Sequence, residues 1–162
     1  MIILGIDPGL ARIGYGVIRK QGSALSYIDA GCITTSATMP FAQRLIVINR
    51  SLKKILQRHK PDHVAIERLF FFKNAKTAFS VGQAWGVITF TVTTAALPII
   101  ELTPLQIKQA VTGYGQAPKG QVEKILKLLL KVKNLPGPDD AADAVACAYC
   151  AAQHILTHKL HP

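Results

Sequence analysis

Four of the nine carboxylates in this 162-residue chain stand where a folded protein has little structural use for them. Asp7 ends the apolar run Met1-Ile2-Ile3-Leu4-Gly5-Ile6-Asp7, and Glu67 ends a second, His63-Val64-Ala65-Ile66-Glu67. Asp140 and Asp143 open an alanine-rich segment and are three apart, so on a helix both project from one face. Like charges there repel and raise each other's pKa unless a cation bridges them. Hard oxygen donors suit Mg²⁺, with Mn²⁺ as a substitute, rather than zinc. Two such ions roughly 4 Å apart can activate a water and stabilise the leaving oxygen in phosphodiester hydrolysis. Each acid taken singly has a plainer reading. Asp-Pro-Gly is good turn chemistry, Glu67 can pair with Arg68, and acids favour a helix N-terminus. Asp139, directly after Pro138, reads as a helix N-cap rather than as a fifth ligand.

The remainder of the chain is basic, with nineteen lysines and arginines and a net charge of +10, which favours a polyanionic partner. Phe70-Phe71-Phe72 follows Glu67 closely and is trailed by Lys73, Asn74 and Lys76. Aromatics in a basic loop beside a metal site can stack on bases or wedge between them; the alternative is that they staple the next helix to the core. Lys119 ends a glycine- and proline-bearing loop before a helix, a good place to meet a phosphate. Lys108, in mid-helix, is a candidate phosphate contact. Lys124, Lys127 and Lys131 form a stripe that reads as a solvated face. The segment from Gly115 to Gln121 has the glycine spacing of a phosphate-binding loop but lacks its Lys-Ser/Thr end, so no ATP site is expected. Cys147-x-x-Cys150 has no second pair to complete a zinc site, and both read as small buried residues. Three cysteines without a secreted-scaffold pattern fit a reducing, cytoplasmic setting. No basic leader precedes the apolar N-terminus.

These groups need a scaffold, and hydrophobic periodicity supplies its outline. Residues 1–8 read as a strand, Gly9 to Gly14 as a turn, and Tyr15 to Lys20 and Ala24 to Thr34 as two further strands. Phe41, Leu45, Ile48, Leu52 and Ile55 recur at three and four residues, predicting a helix from about Pro40 to His59. His63 to Glu67 lacks alternation, as befits a central strand covered on both faces. A long helix is expected from Asn74 to Leu97, then a strand from Ile99 to Thr103 and helices from Pro104 to about Gly113, Gly120 to Val132 and Asp139 to about His158. Thr77 to Ile100 carries no charge and is long enough to cross a bilayer, but Pro98 should end the helix, so no membrane span is expected. The order predicts one α/β domain over residues 1–162, about 155–162 forming a flexible tail, with a five-stranded mixed sheet that is antiparallel first and parallel afterwards. Carboxylates at strand ends then share one rim of that sheet.

The chain also resembles a known family. Gly5-Ile6-Asp7-Pro8-Gly9, Gly14-Tyr15-Gly16-Val17-Ile18, Ile66-Glu67, Phe70, Lys73-Asn74-Ala75, Gly82-Gln83-Ala84, Pro104-Leu105-Gln106-Ile107-Lys108, Lys119-Gly120-Gln121-Val122 and Asp140-Ala141-Ala142-Asp143-Ala144 appear in the order and spacing of RuvC, the bacterial Holliday-junction resolvases. The resemblance runs from residue 1 to about 150. It implies an RNase H-like fold, a homodimer, and symmetric Mg²⁺-dependent nicking of four-way DNA junctions in recombination and repair, alongside the RuvA and RuvB branch-migration proteins. It further implies that Asp7, Glu67, Asp140 and Asp143 are the catalytic metal ligands, that Phe70 contacts bases near the crossover, and that Lys108 and Lys119 lie near the scissile phosphate. Leu10 and Arg68 depart from the family pattern, where a small polar residue and a less basic one are expected. Gly82 and Gly86 are expected to mark a helix that contributes to the dimer contact. Three rivals bear on function: an RNase H-like nuclease acting on RNA or simple duplexes, an actin-like or sugar-kinase ATPase, which needs two such domains, and a junction-binding module without chemistry, which needs no acids.

Overall fold

The computed structural model describes residues 1–69, 75–135 and 137–157. Its five strands are β1 (Ile2–Asp7), β2 (Arg12–Gln21), β3 (Ala24–Thr34), β4 (His63–Glu67) and β5 (Ile99–Leu102). They form one sheet in the order β3-β2-β1-β4-β5. The pairs β1–β2 and β2–β3 are antiparallel, and β1–β4 and β4–β5 are parallel. The helices are α1 (Phe41–His59), α2 (Ala75–Thr94), α3 (Pro104–Thr112), α4 (Lys119–Leu129) and α5 (Asp139–Thr157).

Strand alternation decides which side of the sheet each residue serves. Leu4, Ile6, Val64 and Ile66 pack with Ile48, Leu52 and Leu56 of α1 and Ala84, Ile88 and Val92 of α2. Ile3 and Ala65 face the other way, into a core with Leu126 of α4 and the apolar residues of α5. The same parity turns Asp7 and Glu67 toward α5.

α5 lies unusually close to the sheet because glycines leave it room. A Cβ at Gly5 would stand 2.0 Å from the Ala144 carbonyl oxygen, one at Gly14 1.9 Å from that of Asp140, and one at Gly16 2.5 Å from the Val145 nitrogen. The alanine side of α5 completes the fit: Ala141, Ala144, Ala148, Ala151 and Ala152 are fully buried.

Element boundaries differ from expectation where local chemistry outweighs periodicity. β2 begins at Arg12, three residues early, because Asp7 still pairs with Gly14 and Arg12 with Thr34. α2 ends at Thr94 rather than Leu97. Ala96 takes a left-handed φ of 55°, and the Leu97 amide donates to the Val92 carbonyl, so the chain turns before Pro98. Lys131 lies beyond α4, also left-handed at φ 55°, and so does not continue the lysine stripe. α5 continues through Thr157, so residues 155–157 are helical, while 158–162 lie outside the described residues. Among the described residues no helix is long and apolar enough to cross a membrane.

Candidate active site

The parallel pairing of Ile6 with Ile66 sets Asp7 and Glu67 side by side at the C-terminal ends of two central strands, both on the α5 face. The first turn of α5 presses against Gly14, the partner of Asp7 across the β1–β2 ladder. Asp140 and Asp143 therefore come down beside the two strand-end carboxylates.

The electrostatics carry the signature of this crowding. Asp7 is pushed up to about 8, first by burial and then by the charges of Glu67, Asp143 and Asp140. Glu67 rises to about 7, through burial and then the Asp143 charge, against the pull of Lys108 and Lys119. Asp143 is also raised, by burial above all, although its hydrogen bond from Lys119 opposes the rise. Burial alone would lower the Lys119 ammonium, but Asp143 and then Asp139 hold it above its ordinary value.

A cleft of about 190 Å³ opens over these groups, lined by Glu67, Pro104, Ile107, Lys108, Lys119, Val122, Asp143 and Ala146. Thr103 positions the lysine on α3 through a capping box: its hydroxyl accepts from the Gln106 amide, and its own amide donates to Gln106 Oε1. Lys119 is the first residue of α4 and reaches back to donate to Asp143 Oδ2 at 2.8 Å.

Glu67, Asp143, Lys108 and Lys119 line the cleft; Asp7 lies close enough to feel the charges of Glu67, Asp143, Asp140 and Lys119, and Arg12 Nη1 donates to Asp140 Oδ2 at 3.1 Å. Among the described residues no three acids already close on a single point; Asp140 and Asp143 are turned onto Arg12 and Lys119. Two plainer readings are corrected. Arg68 donates to Glu101 Oε2 on β5 at 3.0 Å rather than pairing with Glu67. Asp139 is the first helical residue of α5, not the residue before it, and its carboxylate lies 3.5 Å from Lys119 Nζ. Phe70 and its neighbours to residue 74 lie outside the described residues. Cys147 and Cys150 are fully buried and burial raises both thiols, as expected of packing residues. Arg12 carried no signal in the sequence, since its partner is 128 residues away.

The donor set fits a hard divalent cation. Four oxygen-bearing side chains from three elements lie near one another, and burial first and then their neighbours' negative charges push Asp7 up to about 8 and Glu67 to about 7, a penalty that a bound cation would relieve.

The model of the family described as crossover junction endodeoxyribonuclease RuvC matches residues 3–151. A protein of that name from Petrotoga mobilis is 53% identical over 150 residues, 93% of this chain and 92% of its own. Thermus thermophilus RuvC in complex with a Holliday junction substrate superposes with a TM-score of 0.91 at 31% identity, over 98% of this chain and 96% of that one. The yeast mitochondrial Holliday junction resolvase Ydc2, 15% identical over 96% of this chain and 80% of its own with a TM-score of 0.69, shares the fold. The five-stranded mixed sheet and its flanking helices are the RNase H-like fold of these proteins. The chain belongs to the RuvC family of crossover junction endodeoxyribonucleases.

Proposed function

We propose that this protein is a cytoplasmic, divalent-metal-dependent endonuclease that resolves four-way DNA junctions by hydrolysing one phosphodiester on each of two opposing strands, in recombination and repair. The observation that carries the reading is a cleft lined by Glu67, Asp143, Lys108 and Lys119, with Asp7 and Asp140 near enough to couple to these acids by charge, in a chain with this family membership. Asp7, Glu67, Asp140 and Asp143 would hold two Mg²⁺ ions. When bound, these supply Lewis-acid polarisation of the phosphate and lower the pKa of a water. The protein's own residues do the positioning. Glu67 and Asp7 are fixed by strand ends, and Asp140 and Asp143 by a helix clamped on glycines. Lys119 gives up Asp143 to meet the phosphate, and Lys108 approaches it from α3. Phe70 contacts bases near the crossover. With four of nine carboxylates committed to metal, five remain against nineteen lysines and arginines, which suits two DNA arms.

A homodimer supports paired nicks, since a four-way junction has approximate two-fold symmetry. The face of α2 opposite its buried residues exposes Phe79 (76%) and Phe90 (64%), with Gln83 and Gly86 on the same stripe. A Cβ at Gly86 would meet nothing within 4 Å, which leaves room for a second helix. Joint substitution Phe79→Glu and Phe90→Glu should yield monomers in sedimentation velocity; an unchanged dimer would contradict this interface. RuvA and RuvB are the proposed protein partners. The function itself is tested by incubating a synthetic four-way junction, a linear duplex and an RNA–DNA hybrid with the protein and Mg²⁺. Paired nicks confined to the junction are expected. Cutting of the hybrid or duplex at equal rates, or of none of the three by folded protein that binds the junction, would overturn the reading.

A further inference from the structure

Beyond the acids and lysines, α3 and the loop after it carry two exposed apolar side chains that the chemistry leaves unused. Leu105 is 55% exposed and Tyr114 is 57% exposed. Leu105 sits between Pro104 and Lys108 on α3, both of which line the cleft. The loop after α3 returns along that helix toward Lys119, and Leu105 lies over its midpoint: a Cβ at Gly115 would be 2.9 Å from Leu105 Cγ. Tyr114 is next to Gly115 in the same loop, which leads on to Lys119.

The loop is built to hold the tyrosine out. Gly113 closes α3 in a left-handed conformation, φ 75°, its amide donating to the Gln109 carbonyl at 2.8 Å. The Tyr114 amide donates to Thr112 Oγ1 at 3.1 Å, and the Tyr114 carbonyl accepts from the Ala117 amide at 3.1 Å. The ring's own hydroxyl donates to Gln116 Oε1 at 3.4 Å, a long bond. A backbone this well fixed under an exposed ring offers a preorganised apolar surface at little further ordering cost.

We infer that Tyr114, with Leu105, packs against the sugar–base face of the DNA strand that enters the cleft, so that one strand is held by lysines at its phosphates and by these two side chains at an adjacent nucleotide. The inference rests on the nuclease reading above. Its occupant follows from continuity: Leu105 shares α3 with Lys108 and Tyr114 stands in the loop leading to Lys119, both lysines lining the cleft, and apolar groups so placed next to ammonium groups in the chain suit a strand that alternates phosphate with base and sugar.

The test uses a fluorescently labelled four-way junction in EDTA, with anisotropy as the readout, and wild type, Tyr114→Ala and Tyr114→Phe. Both variants alter an exposed side chain and should fold. Tyr114→Ala should weaken binding about fivefold or more, the low end for losing one stacked base, whereas Tyr114→Phe should bind within about twofold of wild type. A scan of single abasic sites around the cut position should reveal a nucleotide whose loss weakens wild type but not Tyr114→Ala, a dependence that a merely structural role would not produce. Binding by Tyr114→Ala within twofold of wild type would overturn the inference and leave the nuclease reading intact. Equal losses in both variants would overturn it too, since packing needs only the ring. Wild-type protein that fails to bind the junction would instead sink the nuclease reading and this inference with it.

Discussion

Gly14→Ala isolates the device that brings the acids together. A Cβ at residue 14 would stand 1.9 Å from the Asp140 carbonyl oxygen, and ordinary contact begins at 3.4 Å, so something must yield by about 1.5 Å. β2 is hydrogen-bonded on both sides, to β1 and β3, so the first turn of α5 is the part that moves. That turn carries Asp140 and leads into Asp143. Misplacing catalytic groups by about 1 Å costs roughly 100-fold in rate. Forcing a methyl into a packed contact costs about 1–3 kcal/mol, a Tm drop of about 2–12 °C for a chain of this size. The assay is single-turnover cleavage of a four-way junction at saturating protein, with junction affinity measured separately. We expect cleavage to fall about 100-fold while affinity changes less than about threefold. Gly120→Ala is the control, because a Cβ there meets nothing within 4 Å and alanine favours the helix by up to about 1 kcal/mol. Gly14→Ala protein that cuts within twofold of wild type would refute the idea that glycine contacts set the position of Asp140.

The remaining expectations follow from charge and backbone. Asp7 rises from 3.8 to about 8 and Glu67 from 4.5 to about 7 on folding, so the native state holds their protons more tightly than the unfolded chain. Their contribution to stability is fully present below about pH 4 and is lost as pH rises through 7 and 8. The Tm without divalent ions should therefore fall between pH 4 and 8, and Mg²⁺ or Mn²⁺ should oppose the fall by binding the folded state; a Tm that climbs across this window would contradict the crowding. Ala96→Gly relieves a left-handed alanine at the end of α2 and should raise stability by about 0.5–1 kcal/mol in urea denaturation. Lys119→Gln should slow single-turnover cleavage about 100-fold, a loss typical of removing one donor from developing charge, with a smaller effect on junction affinity.

Three of the four acids were legible in the sequence because each broke a local rule: Asp7 and Glu67 end apolar strands, and Asp143 lies past the first helical turn. Their places at strand ends then sufficed to put Asp7 and Glu67 at one rim of the sheet; that they share the α5 face follows from the register. What joins them to Asp140 and Asp143 was harder to see, since Gly5, Gly14 and Gly16 look like ordinary strand glycines until α5 is laid against them. The pairings of Arg12 with Asp140 and of Arg68 with Glu101 are long-range, and nearest-neighbour reasoning offered only Glu67 as an alternative partner for Arg68. Tyr114 was passed over for a related reason: its exposure depends on a three-dimensional turn around Thr112, not on a hydrophobic period. The end of α2 was misplaced because Pro98 was visible but the preceding Ala96 turn was not.

The central claim is that four carboxylates from β1, β4 and α5 form one metal-dependent cutting centre. Asp7→Asn tests it most directly, with cleavage and binding of a four-way junction measured on the same folded protein in Mg²⁺ and in EDTA. The claim predicts that cutting is abolished while junction binding stays within about twofold of wild type. Cleavage by Asp7→Asn at the wild-type rate would contradict the centre, and loss of binding together with cutting would assign Asp7 to the fold instead.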